Sequence, residues 1–97
     1  MIDDQKEQKI VEYLIKKTQE DKISWEIDMI FDYIADVHGY TFCIQKRAQH
    51  KILVVMKDSL ILIEIILTLY DLAEIVRKKV YHVNEQLDEL LNLINKL

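Results

Sequence analysis

The apolar positions of this chain keep two different periods, and the change between them organises it. Ile10, Val11, Leu14 and Ile15 recur at helical spacing, preceded by Asp3 and Asp4 and followed by Lys16 and Lys17. The spacing predicts an amphipathic helix with acids at its N-cap and bases at its negative end. Ile23, Trp25 and Ile27 then alternate with Ser24 and Glu26, which reads as a short strand. Tyr40, Phe42 and Ile44 alternate with Thr41, Cys43 and Gln45 as far as Arg47. Two β-branched-rich runs, at 52–56 and from Leu60 onward, follow across Ala48-Gln49-His50 and Lys57-Asp58-Ser59. Together these predict an antiparallel meander, although hairpins almost without glycine are unusual.

Residues 31–38 fit both periods. As a strand they place Phe31, Tyr33, Ala35 and Val37 on one face; as a helix they stack Asp28, Asp32 and Asp36 opposite Ile27, Ile30, Phe31 and Ile34, with Gly39 as a C-cap. Aromatic and β-branched content favours the strand.

Beyond the meander the period becomes seven. Leu69, Ala73, Val76, Val80, Val83, Leu87, Leu90, Ile94 and Leu97 step alternately by four and three, an uninterrupted heptad seam. Thr68 and Asp71 suit its N-terminal cap. A continuous helix over 69–97 would run about 44 Å, against a diameter of about 30 Å for a globule of this length. Such a helix must overhang, break or pack on another chain. His82-Val83-Asn84 is the expected break, with Asn84 capping a second helix. The expected fold is therefore α+β in one domain, 1–97: an N-terminal helix, a four- or five-stranded antiparallel meander, and a long or broken C-terminal helix. A mainly α fold is the alternative.

Composition sharpens this. Ile, Leu and Val make up 34 of the 97 residues, too many for a disordered chain. One Gly and no Pro remove phosphate-cradling loops, dinucleotide fingerprints and Pro-rich ligands. A single cysteine forms no internal disulfide, and with a polar, acidic N-terminus and no long uncharged apolar stretch it points to the cytoplasm and away from membranes. The formal net charge of −4 divides as −5 over 1–36, +4 over 37–57 and −3 over 58–97. That balance disfavours nucleic acid, yet Lys46, Arg47, His50 and Lys51 form a local basic hairpin that could meet an anion.

No constellation here supports catalysis or a resident cofactor. Asp36, His38, Cys43 and His50 match no metal-ligand spacing, and Cys43 with His50 lacks an orienting group and an oxyanion site. The stronger signal is surplus apolar surface. The last two strands are apolar on both faces, and two helices can cover only one face of a sheet. Leu60, Leu62 and Ile66, with Leu87, Leu90, Ile94 and Leu97, are thus the expected protein interface. A homodimer is the simplest way to bury it, and a further protein partner is expected.

Two segments, Lys17-Thr18 with Lys22-Ile23-Ser24-Trp25-Glu26, and Leu69-Tyr70 with Arg77 and Val83-Asn84-Glu85-Gln86-Leu87-Asp88-Glu89-Leu90-Leu91, resemble a pattern of small, functionally undefined bacterial proteins. The resemblance implies a helix–meander–helix order and carries no site with it. The expected role is a small acidic regulator, adaptor or inhibitor that masks a partner's surface. The lysine- and isoleucine-rich, glycine-poor composition also suits a protein of a mobile element or phage.

Overall fold

In the computed structural model, which describes residues 4–96, the first period becomes helix α1 (Asp4–Gln19). The expected cap at Asp3 lies outside the described residues. Val11, Leu14 and Thr18 form the buried stripe of α1. The Thr18 hydroxyl accepts a 2.9 Å hydrogen bond from Trp25 Nε1, so the one buried polar side chain of this helix is satisfied. Asp21 ends the helix in the left-handed region (φ 59°), donating to Thr18 O while Lys22 donates to Lys17 O. This is a Schellman closure with Asp in the position usually held by glycine.

Five antiparallel strands follow in sequence order: β1 (Glu26–Ile27), β2 (Tyr33–Val37), β3 (Tyr40–Arg47), β4 (His50–Lys57) and β5 (Leu60–Ile66). The ambiguous 31–38 segment is thus a strand, though Phe31 packs on the opposite face from Tyr33 and Ala35. The first strand is shorter than its alternation implies. Trp25 leaves the ladder to reach Thr18, and only Glu26 and Ile27 pair with β2.

Three two-residue loops close the meander almost without glycine. His38-Gly39 and Asp58-Ser59 have both residues at positive φ (52° and 84°, 52° and 65°), the signature of type I′ turns. At Ala48-Gln49 only Ala48 is positive (58°), as in type II′. Short, right-twisting hairpins demand these conformations, and four of the six residues involved accept them with a side chain attached. Each such residue costs on the order of 1 kcal/mol.

Helix α2 (Leu72–Val80) returns across the sheet beside α1, and both pack on the same face. That face joins Tyr33, Ala35, Phe42, Ile44, Leu53, Val55 and Ile65 to Val11 and Leu14 of α1 and Leu72 and Val76 of α2. The expected start of this helix moves inward. Leu69 lies outside it and is almost fully exposed, Asp71 occupies the cap without a side-chain hydrogen bond, and Thr68 faces His50 instead. The long helix is broken. Helix α3 (Val83–Asn95) starts after His82, which takes the left-handed conformation (φ 51°, ψ 47°) at its N-cap. Asn84 lies inside α3 and is not the cap. Among the described residues no helix is long and apolar enough to cross a membrane.

The strained turns yield a direct expectation. Asp58→Asn with Ser59→Gly supplies the pair a type I′ turn prefers. Thermal unfolding should rise by about 4–8 °C, the shift that roughly 1 kcal/mol produces in a domain of this size. An unchanged or lower midpoint would contradict the turn assignment.

Candidate interaction surfaces

Helix α3 stands apart from the rest. Two contacts pin the end of α2 to the body: Lys79 Nζ donates to Asp21 Oδ1 at 2.7 Å, and the Tyr81 ring meets Tyr33 edge-on at 6.4 Å. Then His82 turns the chain away. No residue of α3 is buried. Leu87, Leu90, Leu91, Leu93 and Ile94 are each 49–58 % exposed, an apolar stripe open to solvent along the whole helix. The seam residues Leu87, Leu90 and Ile94 lie on it; Leu97 falls outside the described residues. The seam keeps its phase across the break, so Val76, Val80, Val83 and Leu87 still step by four, three and four. Its first half completes the core through Val76, and its second half covers nothing.

The second uncovered surface is strand β5, at one edge of the sheet with β4 on its other side. Its outward row of N–H and C=O groups has no partner strand, and it carries neither Lys nor Pro to deter one. Leu60, Ile61, Leu62 and Ile66 are exposed. Val55 pairs with Ile63 and Met56 with Ile61, which leaves Leu62 as the extra residue of a bulge. Behind this edge, the face without helices holds a small cluster of Cys43, Ile52 and Val54, screened by Phe31, Ile34 and Met56.

A third apolar feature escaped the sequence pattern. The loop between β1 and β2 displays Met29 (103 % exposed) and Ile30 (83 %), with Ile27 beside them. Asp28 orders it: its Oδ2 accepts from the backbone N–H groups of Ile30 at 2.9 Å and Phe31 at 3.1 Å. Those bonds, Phe31's first, hold the Asp28 carboxyl below its usual range. The loop shares a hollow of about 340 Å³ with Tyr81, so it lies at the root of α3. An Asp followed by two large apolar residues was the available signal, and it is a weak one.

The basic hairpin does not form one patch. Strand alternation sends Lys46 and Lys51 to the helix-covered face with Ile44 and Leu53, and Arg47 and His50 to the other with Cys43 and Ile52. Lys51 Nζ donates to Asp32 Oδ2 at 2.9 Å, and the Arg47 guanidinium grips the Glu64 carboxylate at 2.9 and 3.3 Å. The Arg47 hydrogen bonds hold the Glu64 carboxyl low. The His50 ring lies 3.4 Å from the Thr68 hydroxyl. Two of the three cations, Lys51 and Arg47, are therefore already neutralised by this chain.

The carboxylates Asp28, Asp32 and Asp36 likewise disperse to separate tasks. Asp28 caps its loop, Asp32 meets Lys51, and Asp36 accepts from the Thr41 hydroxyl at 2.7 Å. Among the described residues no three His, Cys, Asp or Glu side chains gather where a metal ion could sit. Cys43 is fully buried, with its thiol pushed up to about 11, first by burial and then by the negative charges of Asp28 and Asp36. At neutral pH it is a protonated hydrophobe rather than a nucleophile.

Cys43 gives a measurable consequence. Alkylating reagents should leave the native thiol untouched at pH 7 and label it only in denaturant. Because its folded value lies above the ordinary 9.0, the unfolded chain ionises first. Stability conferred by the buried thiol is thus whole below pH 9 and declines from there toward pH 11. A Cys43→Ala protein should lack that decline; an identical alkaline profile would contradict the assignment. No protein-family model, no curated protein and no solved structure matches this chain.

Proposed function

We propose that this chain is a non-enzymatic protein-interaction module: a homodimer that regulates, adapts or inhibits a partner by covering part of its surface. The observation that carries this reading is helix α3, thirteen residues long with an apolar stripe that is about half exposed and buried by none of the described residues. An isolated helix of that length is marginal in water, since nucleation is costly and few turns repay it. Fully burying one large aliphatic side chain contributes about 1.5–3 kcal/mol, so pairing the stripe would stabilise helix and complex together. The open β5 edge adds a second surface of the same apolar kind, suited to a partner's strand. The buried, protonated thiol and the dispersed carboxylates support a role without covalent chemistry. The divided hairpin at 46–51 gives nucleic-acid or anion binding less support than its sequence suggests.

The core side of α2 and the open half of the heptad seam separate core from interface. Leu72, buried beside the seam residue Val76, belongs to the core, so Leu72→Ala should lower stability by about 2–5 kcal/mol at every protein concentration. Leu90→Ala with Ile94→Ala should leave thermal stability near wild type in dilute solution and weaken association instead. Light scattering on the wild-type protein should give about twice 11.6 kDa at micromolar concentration. A mass of 11.6 kDa throughout would remove the dimer reading.

A further inference from the structure

The self-association proposed above does not say in what sense the α3 helices pair, or what else they touch. We infer that α3 pairs antiparallel with α3 of a second copy, and that each helix tip rests on the apolar Met29–Ile30 loop of the other copy. This deepens the dimer reading and rests on it.

The first argument is the chemistry of the seam. Between Val83 and Asn95 the heptad contact positions are Val83, Leu87, Leu90 and Ile94, and those flanking them are Asn84, Gln86, Leu91 and Leu93. None is charged. The acids of α3, Glu85, Asp88 and Glu89, all occupy the outer positions. An uncharged stripe fits another uncharged stripe, and here each copy supplies one. A charged partner groove would find nothing to pair with.

The second argument is geometric and favours one direction. The molecule measures 59 × 29 × 25 Å, and α3 accounts for about 20 Å at 1.5 Å per residue. Paired helices lie about 8–10 Å apart. A parallel pair would bring both bodies to the same end, where their widths of 25–29 Å crowd beside the paired helices. An antiparallel pair sends them to opposite ends. It also sets Val83 against Ile94 of the second copy and Leu87 against Leu90, using every seam position of the described helix.

The third argument is area. In this arrangement the tip of the second helix reaches the root of the first, where Ile27, Met29, Ile30 and Tyr81 are exposed. A large apolar side chain removes about 60–120 Å² from water. Weighted by their exposure, the five α3 side chains and these four give about 660–1,300 Å² of apolar area for two copies. Homodimer interfaces are about 65 % apolar, which makes the whole about 1,000–2,000 Å². That matches a stable interface of standard size, about 1,200–2,000 Å². The helix stripe without the loop supplies only about half of this apolar area.

Cross-linking distinguishes the outcomes in the full chain with Cys43→Ser, which leaves no other thiol. One protein carries Val83→Cys and another Ile94→Cys. Under mild oxidation an equal mixture should give a disulfide-linked heterodimer on a non-reducing gel, and neither protein should cross-link alone. Self-cross-linking of Val83→Cys would show a parallel pair and overturn the proposal. A dimer that forms no cross-link, keeps its mass with Leu90→Glu and loses it with Ile66→Glu would move the interface to β5, also overturning it while the dimer reading stands. The loop has its own readout: Met29→Asp with Ile30→Asp should weaken dimerisation at least tenfold, and unchanged association would remove the loop from the interface. A strictly monomeric wild-type protein would instead refute the underlying reading of self-association.

Discussion

One face of one sheet has to be buried, and everything else in this molecule follows from how that is done. Ile44 and Leu53 sit fully buried on the two central strands and need helices above them. Helix α1 supplies Val11 and Leu14, and α2 supplies Leu72 and Val76. With those two helices side by side, that face is filled. Helix α2 ends where Lys79 reaches Asp21 and Tyr81 meets Tyr33, at the β1–β2 side of the sheet. The chain beyond finds no room left on that face. A left-handed residue at His82 turns it outward, and the apolar half of the seam leaves the core carrying its stripe into solvent.

The periods of the sequence were legible because they report burial directly. The alternating β3, the continuous apolar run of β4 and the helical stripe of α1 each correspond to buried residues. The 31–38 segment resolved as a strand because Tyr33 and Ala35 had a sheet face to complete. What the sequence concealed were features that periodicity does not encode. Its hairpins use His38, Ala48, Asp58 and Ser59 at positive φ, so scarce glycine hid turns that chain geometry still required. The break in the long helix falls where the sequence places it but with a different cap, because Asn84 has the better capping chemistry while His82 holds the turning backbone. Proximity in sequence also misleads at the hairpin, where three cations and a histidine within six residues divide between two faces.

Among the candidate chemistries, geometry consistently turns reactive residues into structural ones. Cys43 is sealed between Ile52 and Val54, Arg47 is held by Glu64, and Asp28 orders a loop. At these positions polar groups are engaged locally while apolar groups are left over. The surplus lies in three places: the α3 stripe, the loop at its root and the β5 edge. The first two are neighbours and suit one self-complementary contact. The edge, on the other side of the sheet, remains open for a strand from a different protein.

The central claim is that α3 is held as a helix by a second copy rather than by its own chain. Hydrogen exchange followed by mass spectrometry across a dilution series tests it most directly. The account predicts slow exchange in the core strands β3 and β4 at every concentration. In α3, slow exchange should occur only where dimer is present and be lost on dilution. Equal protection of α3 in dilute and concentrated solution, in a protein of monomeric mass, would contradict it.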